Sequence, residues 1–180
     1  GSDAMVTLRS DWTPPGTTKA YVAGTLLALP MSDVMDNNWA SALPLFEPTA
    51  SKSLQSMTTT KDYVVLSVLE DVRTTLSVWK HESRPPTYTA SGRVAGESKW
   101  SLLEPPPGVD AVAVGEDVVV TNPNRDAASS NSLFLWRDGY LTPDTLELVP
   151  DVADLLSGST NLPLKANPAK YDSEGLTVDQ

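Results

Sequence analysis

Three stretches of this chain share one pattern: Ala23-Gly24-Thr25-Leu26-Leu27-Ala28, Arg73-Thr74-Thr75-Leu76-Ser77-Val78 and Pro143-Asp144-Thr145-Leu146-Glu147-Leu148. In each, a Thr-Leu step opens a strand-like run, and each follows another β-like run upstream, at Val6–Arg9, Tyr63–Val68 and Leu133–Arg137. The first two continue into a further run ending in Glu-Pro, at Leu45-Phe46-Glu47-Pro48 and Leu102-Leu103-Glu104-Pro105. From Thr25 to Thr75 to Thr145 the steps are 50 and 70 residues, the second lengthened by the polar stretch Asn122–Ser132. A second register aligns Asp62 with Asp117 and Trp79 with Trp136, and chance likeness among short strands is the plain alternative. In either register the unit is three or four strands in about fifty residues, the size of a propeller blade. Three such units cannot close a ring that needs about four to eight. The expectation is therefore an open arc belonging to a longer propeller, or a different all-β fold.

The residues between these landmarks favour strands over helices. Val64-Val65-Leu66-Ser67-Val68, Leu76-Ser77-Val78-Trp79, Trp100-Ser101-Leu102-Leu103, Val118 to Thr121 and Leu133-Phe134-Leu135-Trp136 are short β-branched or aromatic runs bounded by turn residues. Proline supplies 15 of 180 residues, about 8% against an average near 5%, and suits turns better than helix interiors. Only Ser32–Asp36 and Asp151–Leu156 could be helical, and each is under two turns, too short to hold without tertiary support. Asp138-Gly139 predicts a tight hairpin turn between Leu133–Arg137 and Tyr140-Leu141.

Composition removes whole classes of function. At 180 residues and 40% hydrophobic, the chain is one domain's worth and can bury a core. Its 13 basic and 23 acidic side chains leave a net charge of −10, which opposes binding to nucleic acid or anionic membrane, since both rest on Lys and Arg. No apolar run approaches the ~18 residues of a membrane helix. With no cysteine and a single histidine, His81, disulfide scaffolds, zinc-thiolate and iron–sulfur sites, thiol catalysis and two-imidazole sites are excluded. The opening Gly1-Ser2-Asp3-Ala4 reads as an expression-tag remnant before Met5, with no basic and apolar leader. The expected location is cytoplasmic.

Several stretches together resemble the propeller of the prolyl oligopeptidase family of serine peptidases, in particular its bacterial members. They are Leu8-Arg9-Ser10-Asp11-Trp12, Tyr21-Val22-Ala23-Gly24-Thr25-Leu26-Leu27-Ala28, Leu45-Phe46-Glu47-Pro48, Ser53-Leu54-Gln55-Ser56 with Lys61-Asp62-Tyr63-Val64-Val65-Leu66, Asp71-Val72-Arg73, and Tyr140-Leu141-Thr142-Pro143-Asp144-Thr145-Leu146. The tail Lys165-Ala166-Asn167-Pro168-Ala169-Lys170-Tyr171-Asp172-Ser173 resembles the family's exit from its last blade toward an α/β-hydrolase domain. The resemblance implies an all-β partial propeller of about three four-stranded antiparallel blades, at 5–50, 51–107 and 108–164, with 165–180 leading out. It also implies partners: a catalytic domain of the same parent chain, absent here, and the parent's peptide substrates. The Pro/Gly/Ser-rich His81–Lys99 and the polar Asn122–Ser132 depart from the family pattern, the first as an unusually long loop and the second as an insertion.

The chemistry of the chain itself is sparse. A hydrolase nucleophile sits in Gly-x-Ser-x-Gly on a strained strand-to-helix turn, and Gly96-Glu97-Ser98-Lys99-Trp100 and Gly158-Ser159 lack the second glycine. His81, beside Lys80 and Glu82 at a strand end, reads as an ordinary loop residue. Without nucleophile, base and orienter, triad chemistry has nothing to run on, and no catalytic, cofactor or metal residue is assigned. The pairs Asp33/Asp36, Glu70/Asp71 and Asp151/Asp154 read as turns and helix starts rather than cation sites. Trp79, Trp100 and Trp136 read as packing between blades rather than as a ligand platform. The expected function is a non-catalytic, gating part of a peptidase. The alternative is a stand-alone β-rich module for a glycan or protein partner. An open arc also exposes apolar edges, which predicts self-association.

Overall fold

The computed structural model describes residues 3–84, 87–89, 92–94, 97–105, 107, 117–124, 126–139, 143–157 and 161–169. The chain divides into two compact units, Gly1–Leu54 with His81–Ser101, and Gln55–Lys80 with Leu102–Gln180.

The strands form three antiparallel sheets of three or four strands and a small ribbon. The first sheet holds β1 (Asp3–Thr7), β2 (Leu26–Pro30) and β3 (Leu43–Phe46) in that order, with helix α1 (Met31–Met35) between the last two. In the second, β4 (Lys52–Thr59), β5 (Tyr63–Glu70), β6 (Arg73–Arg84) and β9 (Glu97–Leu103) lie side by side. β10 (Asp117–Thr121), β11 (Leu133–Asp138), β12 (Thr145–Val149) and β13 (Leu162–Ala166) make the third, with α2 (Val152–Ser157) between β12 and β13. The ribbon pairs β7 (Thr87–Thr89) with β8 (Gly92–Val94). The three recurring Thr-Leu steps open β2, β6 and β12, each the next-to-last strand of its sheet. Their upstream runs are the strands they pair with, through Thr7↔Leu26, Ser67↔Leu76 and Trp136↔Leu146. That order selects the first register: β6 and β11, which the Trp79/Trp136 alignment would equate, occupy different places in their sheets.

Two expectations are corrected. His81–Lys99 is strand rather than loop over most of its described length, because β6 continues to Arg84 and Thr87-Tyr88-Thr89 pairs with Gly92-Arg93-Val94. The β-branched and aromatic residues of that stretch outweigh its Pro, Gly and Ser content. The Asp138-Gly139 step does not make a two-residue hairpin turn: the pairing of β11 with β12 begins at Arg137↔Thr145, so the step belongs to a longer connection. The predicted strand residues Tyr140-Leu141, and the tail from Lys170, lie outside the described residues.

Burial follows from the run lengths. A strand covered on one face alternates apolar and polar, whereas one covered on both reads as a continuous apolar run. β5 has Val64 to Val68 buried without a break, and β2 has Leu26 to Leu29 buried. Within the second unit, Val65, Leu76 and Val78 form one core with Val118 and Val120 of β10, Leu133 and Leu135 of β11, Val149, and Val152, Leu155 and Leu156 of α2. Each such side chain contributes about 1.5–3 kcal/mol on full burial. Gly24 shows why the first repeat carries glycine. Its φ is +88°, and a Cβ there would meet Pro48 Cγ at 3.3 Å.

Several buried polar atoms are poorly served, Ser67 Oγ among them. Ser67, paired with Leu76 on the core face of β5, places its Oγ where it meets no partner among the described residues. A buried hydroxyl without a hydrogen bond costs about 1–3 kcal/mol. Ser67→Ala is therefore expected to raise stability by about 1 kcal/mol, read as a higher urea midpoint at unchanged slope. A lower midpoint would mean that the hydroxyl is satisfied.

Candidate functional site

The chain's one histidine lies inside β6 rather than at a strand end. Within the first unit its Nε2 stands 3.4 Å from Asp3 Oδ2, the Trp100 indole N–H donates to the same oxygen at 2.7 Å, and the imidazole and indole centroids are 4.5 Å apart. The Asp3 and His81 side chains are only 6% and 18% exposed, and a carboxylate buried to that degree needs hydrogen-bond donors around it. β1 of the first sheet supplies Asp3, while β6 and β9, neighbours in the second, supply His81 and Trp100, so residues far apart in sequence converge. Nothing local in the sequence points to Asp3, which falls in the segment read as a tag remnant. Chemically the group is a carboxylate–imidazole pair held against an indole ring. Two parts of a relay are present, but the chain has no Gly-x-Ser-x-Gly to furnish the nucleophile.

The carboxylate pairs lie at turns, helix ends and, for Glu70, the end of β5. Asp33 and Asp154 lie in the first turns of α1 and α2, Asp151 Oδ1 accepts from Ala153 N at 2.9 Å, and Asp71 occupies the β5–β6 turn with φ +54°. Among the described residues, no three His, Asp or Glu side chains are grouped to hold a metal ion. The tryptophans divide. Trp100 joins the Asp3 cluster, Trp79 is half-buried, and Trp136 is 38% exposed on β11. Trp136 is thus a surface residue of its sheet. The sequence reading did not single out Trp12 and Trp39, whose rings meet edge to face at 4.9 Å.

A well-connected polar group lies in the Asn122–Ser132 connection. Asn131 Oδ1 accepts from Asp62 N at 2.9 Å and Thr60 Oγ1 at 3.3 Å, its Nδ2 donates to Asp62 Oδ2 at 2.9 Å, and its carbonyl accepts from Val152 N at 3.0 Å. Asn122 Nδ2 donates to Thr59 O, and Ser130 O accepts from Lys61 N. The connection thereby closes over the β4–β5 turn and the start of α2. Tyr63 sits beside it. Burial first, then the Asp151 and Asp62 charges, push its hydroxyl above the ordinary value of 10.0. The folded state then holds this proton more tightly than the unfolded chain does, so the group favours folding up to about pH 10 and that contribution is lost as pH rises through the raised value. Alkaline titration followed by circular dichroism should show a smaller stability loss above pH 10 for Tyr63→Phe than for the parent. Identical losses would remove Tyr63 from the account.

Among the described residues the architecture is antiparallel β-sheet with two short helices. No family model matches the chain. Among curated proteins it is similar to a protein called uncharacterized peptidase y4nA from Sinorhizobium fredii (strain NBRC 101917 / NGR234), with 26% identity over 178 residues, 98% of this chain and 21% of that protein. Among solved structures it is similar to a post-proline cleaving enzyme from Rickettsia typhi, with a TM-score of 0.56 and 21% identity over 96% of this chain and 21% of that one. The structural likeness speaks for the fold. The chain spans about a fifth of the length of either protein. The resemblance drawn from the sequence stretches thus meets a relative whose name is that of a peptidase and a fold shared with a post-proline cleaving enzyme.

Proposed function

We propose that this chain is a non-catalytic stretch of the propeller in a peptidase of the prolyl oligopeptidase kind, with each of its three sheets serving as one blade. The observation that carries the reading is a match running through 98% of the chain to about a fifth of a peptidase. On this reading the blades cover the entrance to an α/β-hydrolase domain elsewhere in the longer polypeptide. That domain supplies the serine, aspartate and histidine, and the bond cut is the one after proline in short peptides. The gating is steric: a small folded domain is about 30 Å across and cannot thread a narrow channel, whereas an extended peptide can. The Asp3–His81–Trp100 group then ties strands together and takes no part in hydrolysis.

The test is turnover of fluorogenic peptides with proline before the scissile bond. The chain alone is expected to give none, and the longer polypeptide that carries it to cleave them while sparing folded proteins. Hydrolysis by the chain alone would overturn the assignment of roles. A longer polypeptide that cleaves nothing would do so too, and glycan or protein capture by this chain would then favour the binding-module alternative.

A further inference from the structure

The first unit presents two indoles at right angles. Trp12 and Trp39 meet edge to face, with ring centroids 4.9 Å apart and an interplanar angle of 88°, and both residues are half-buried. Each is held by its own element. Trp12 exchanges both backbone hydrogen bonds with Tyr21 across a hairpin, at 2.9 and 2.8 Å. Trp39 stands on the loop after α1, where its indole N–H donates to Asn37 Oδ1 at 2.8 Å. Asn37 has φ +54°, a left-handed conformation that asparagine tolerates better than most residues, and its backbone N–H donates to Val34 O. The Trp39 ring is thus fixed before any guest arrives, which lowers the ordering cost of binding. On either side of it along the chain, Met35 and Leu43 are 79% and 39% exposed.

Among the described residues no acceptor meets the Trp12 indole N–H. The pair therefore offers two aromatic surfaces set as a corner, with one donor to spare. A segment in the polyproline II conformation matches both. It makes no internal hydrogen bonds, so its carbonyls are open to a donor, and its proline rings are apolar and carry no N–H. Such preformed segments dock on aromatic-lined grooves at little entropic cost. A sugar fits less well. Its hydroxyls need placed polar groups beside the ring, and the side-chain oxygens of Asn37, Asn38 and Asp33 are already engaged by Trp39, Ala40 and Ser41. We infer that the Trp12–Trp39 corner binds a proline-rich peptide segment in the polyproline II conformation, with a proline ring against the indoles and the Trp12 N–H donating to a peptide carbonyl. The inference goes beyond the peptidase reading and does not rest on it.

The experiment uses the natural polypeptide that carries these residues, treated with a fluorophosphonate so that any active serine is blocked and the probe survives. Fluorescein-labelled decaproline is titrated by fluorescence anisotropy beside an equally labelled Gly-Ser peptide of the same length. Saturable binding of decaproline, and none of the Gly-Ser peptide, is expected. Trp39→Ala is expected to weaken that binding by about tenfold or more, and Trp12→Phe, which keeps a ring but loses the N–H, by a smaller factor. Asn37→Asp, which still accepts from the Trp39 indole, is expected to bind like the parent, whereas Asn37→Ala is not. Melting curves accompany every variant, and the two Asn37 variants decide the matter if Trp39→Ala does not fold. Decaproline that fails to bind, or that binds folded Trp39→Ala or Asn37→Ala as well as the parent, would overturn the inference. So would capture of cellohexaose in its place, which would make the guest a glycan. Self-association that depends on Trp39 would overturn it too, since the occupant would then be a second copy.

Discussion

Leu66→Asp is expected to abolish the cooperative unfolding transition, giving a chain with an unfolded far-UV circular dichroism spectrum at neutral pH. Leu66 is 0% exposed, in the middle of a strand whose neighbours Val64, Val65, Ser67 and Val68 are also buried. β4 and β6 flank that strand in its sheet. A carboxylate placed there loses its water and gains no designed partner, at a cost of several kcal/mol. The whole stability of a domain is about 5–15 kcal/mol. Leu66→Ala supplies the graded control, because a cavity of that kind costs about 2–5 kcal/mol and should leave a weakened but visible transition. A Leu66→Asp variant that melts like the parent would place Leu66 outside the core and with it the reading of β5 as a strand covered on both faces.

Asn131→Ala is the second large effect. The side chain satisfies the Asp62 backbone N–H, the Thr60 hydroxyl and the Asp62 carboxylate together. Removing it takes the acceptor from the part-buried Asp62 N–H and a donor from the Asp62 carboxylate, while the Thr60 hydroxyl keeps Tyr63 O at 3.3 Å. The loss costs about 1–3 kcal/mol, more where a charged group loses its hydrogen bond. The expected result is a fall in unfolding free energy of about 2–3 kcal/mol at unchanged denaturant slope. Asn131→Asp tests the electrostatic half of the same site. It sets a second carboxylate against Asp62, so the folded state holds a proton more tightly than the unfolded chain. Stability should then be lowest at neutral pH and recover as pH falls toward the ordinary aspartate value of about 4. A variant destabilised equally at pH 7 and pH 4 would show that geometry, not charge, decides there.

These two sites differ in how far the sequence announces them. Leu66 is legible because Val64 to Val68, apolar and β-branched but for Ser67 and bounded by turn residues, reads as a strand covered on both faces. Asn131 is not. It stands in a polar stretch that reads as an insertion, and its value comes from partners sixty-nine residues away at Asp62. The same division separates Thr25-Leu26, Thr75-Leu76 and Thr145-Leu146, whose recurrence marks equivalent strands, from Asp3, His81 and Trp100, whose approach no spacing reveals. Asp138-Gly139 failed as a hairpin signal because a dipeptide's turn preference is worth less than the pairing that begins at Arg137↔Thr145. His81–Lys99 failed in the opposite sense, its strand-forming residues outweighing the composition of the whole stretch.

From the sequence alone come the all-β class, the spacing of the repeated units, the lack of a hydrolase nucleophile, and the family whose stretches the chain resembles. Each of these depends on near neighbours or on the presence of a residue type. The tertiary structure alone decides which register of the repeat is real, that Trp12 and Trp39 stand edge to face, and that Asp3, His81 and Trp100 meet. Those are contacts between residues distant along the chain. Their energies depend on pairing and burial in three dimensions, which a one-dimensional pattern does not contain.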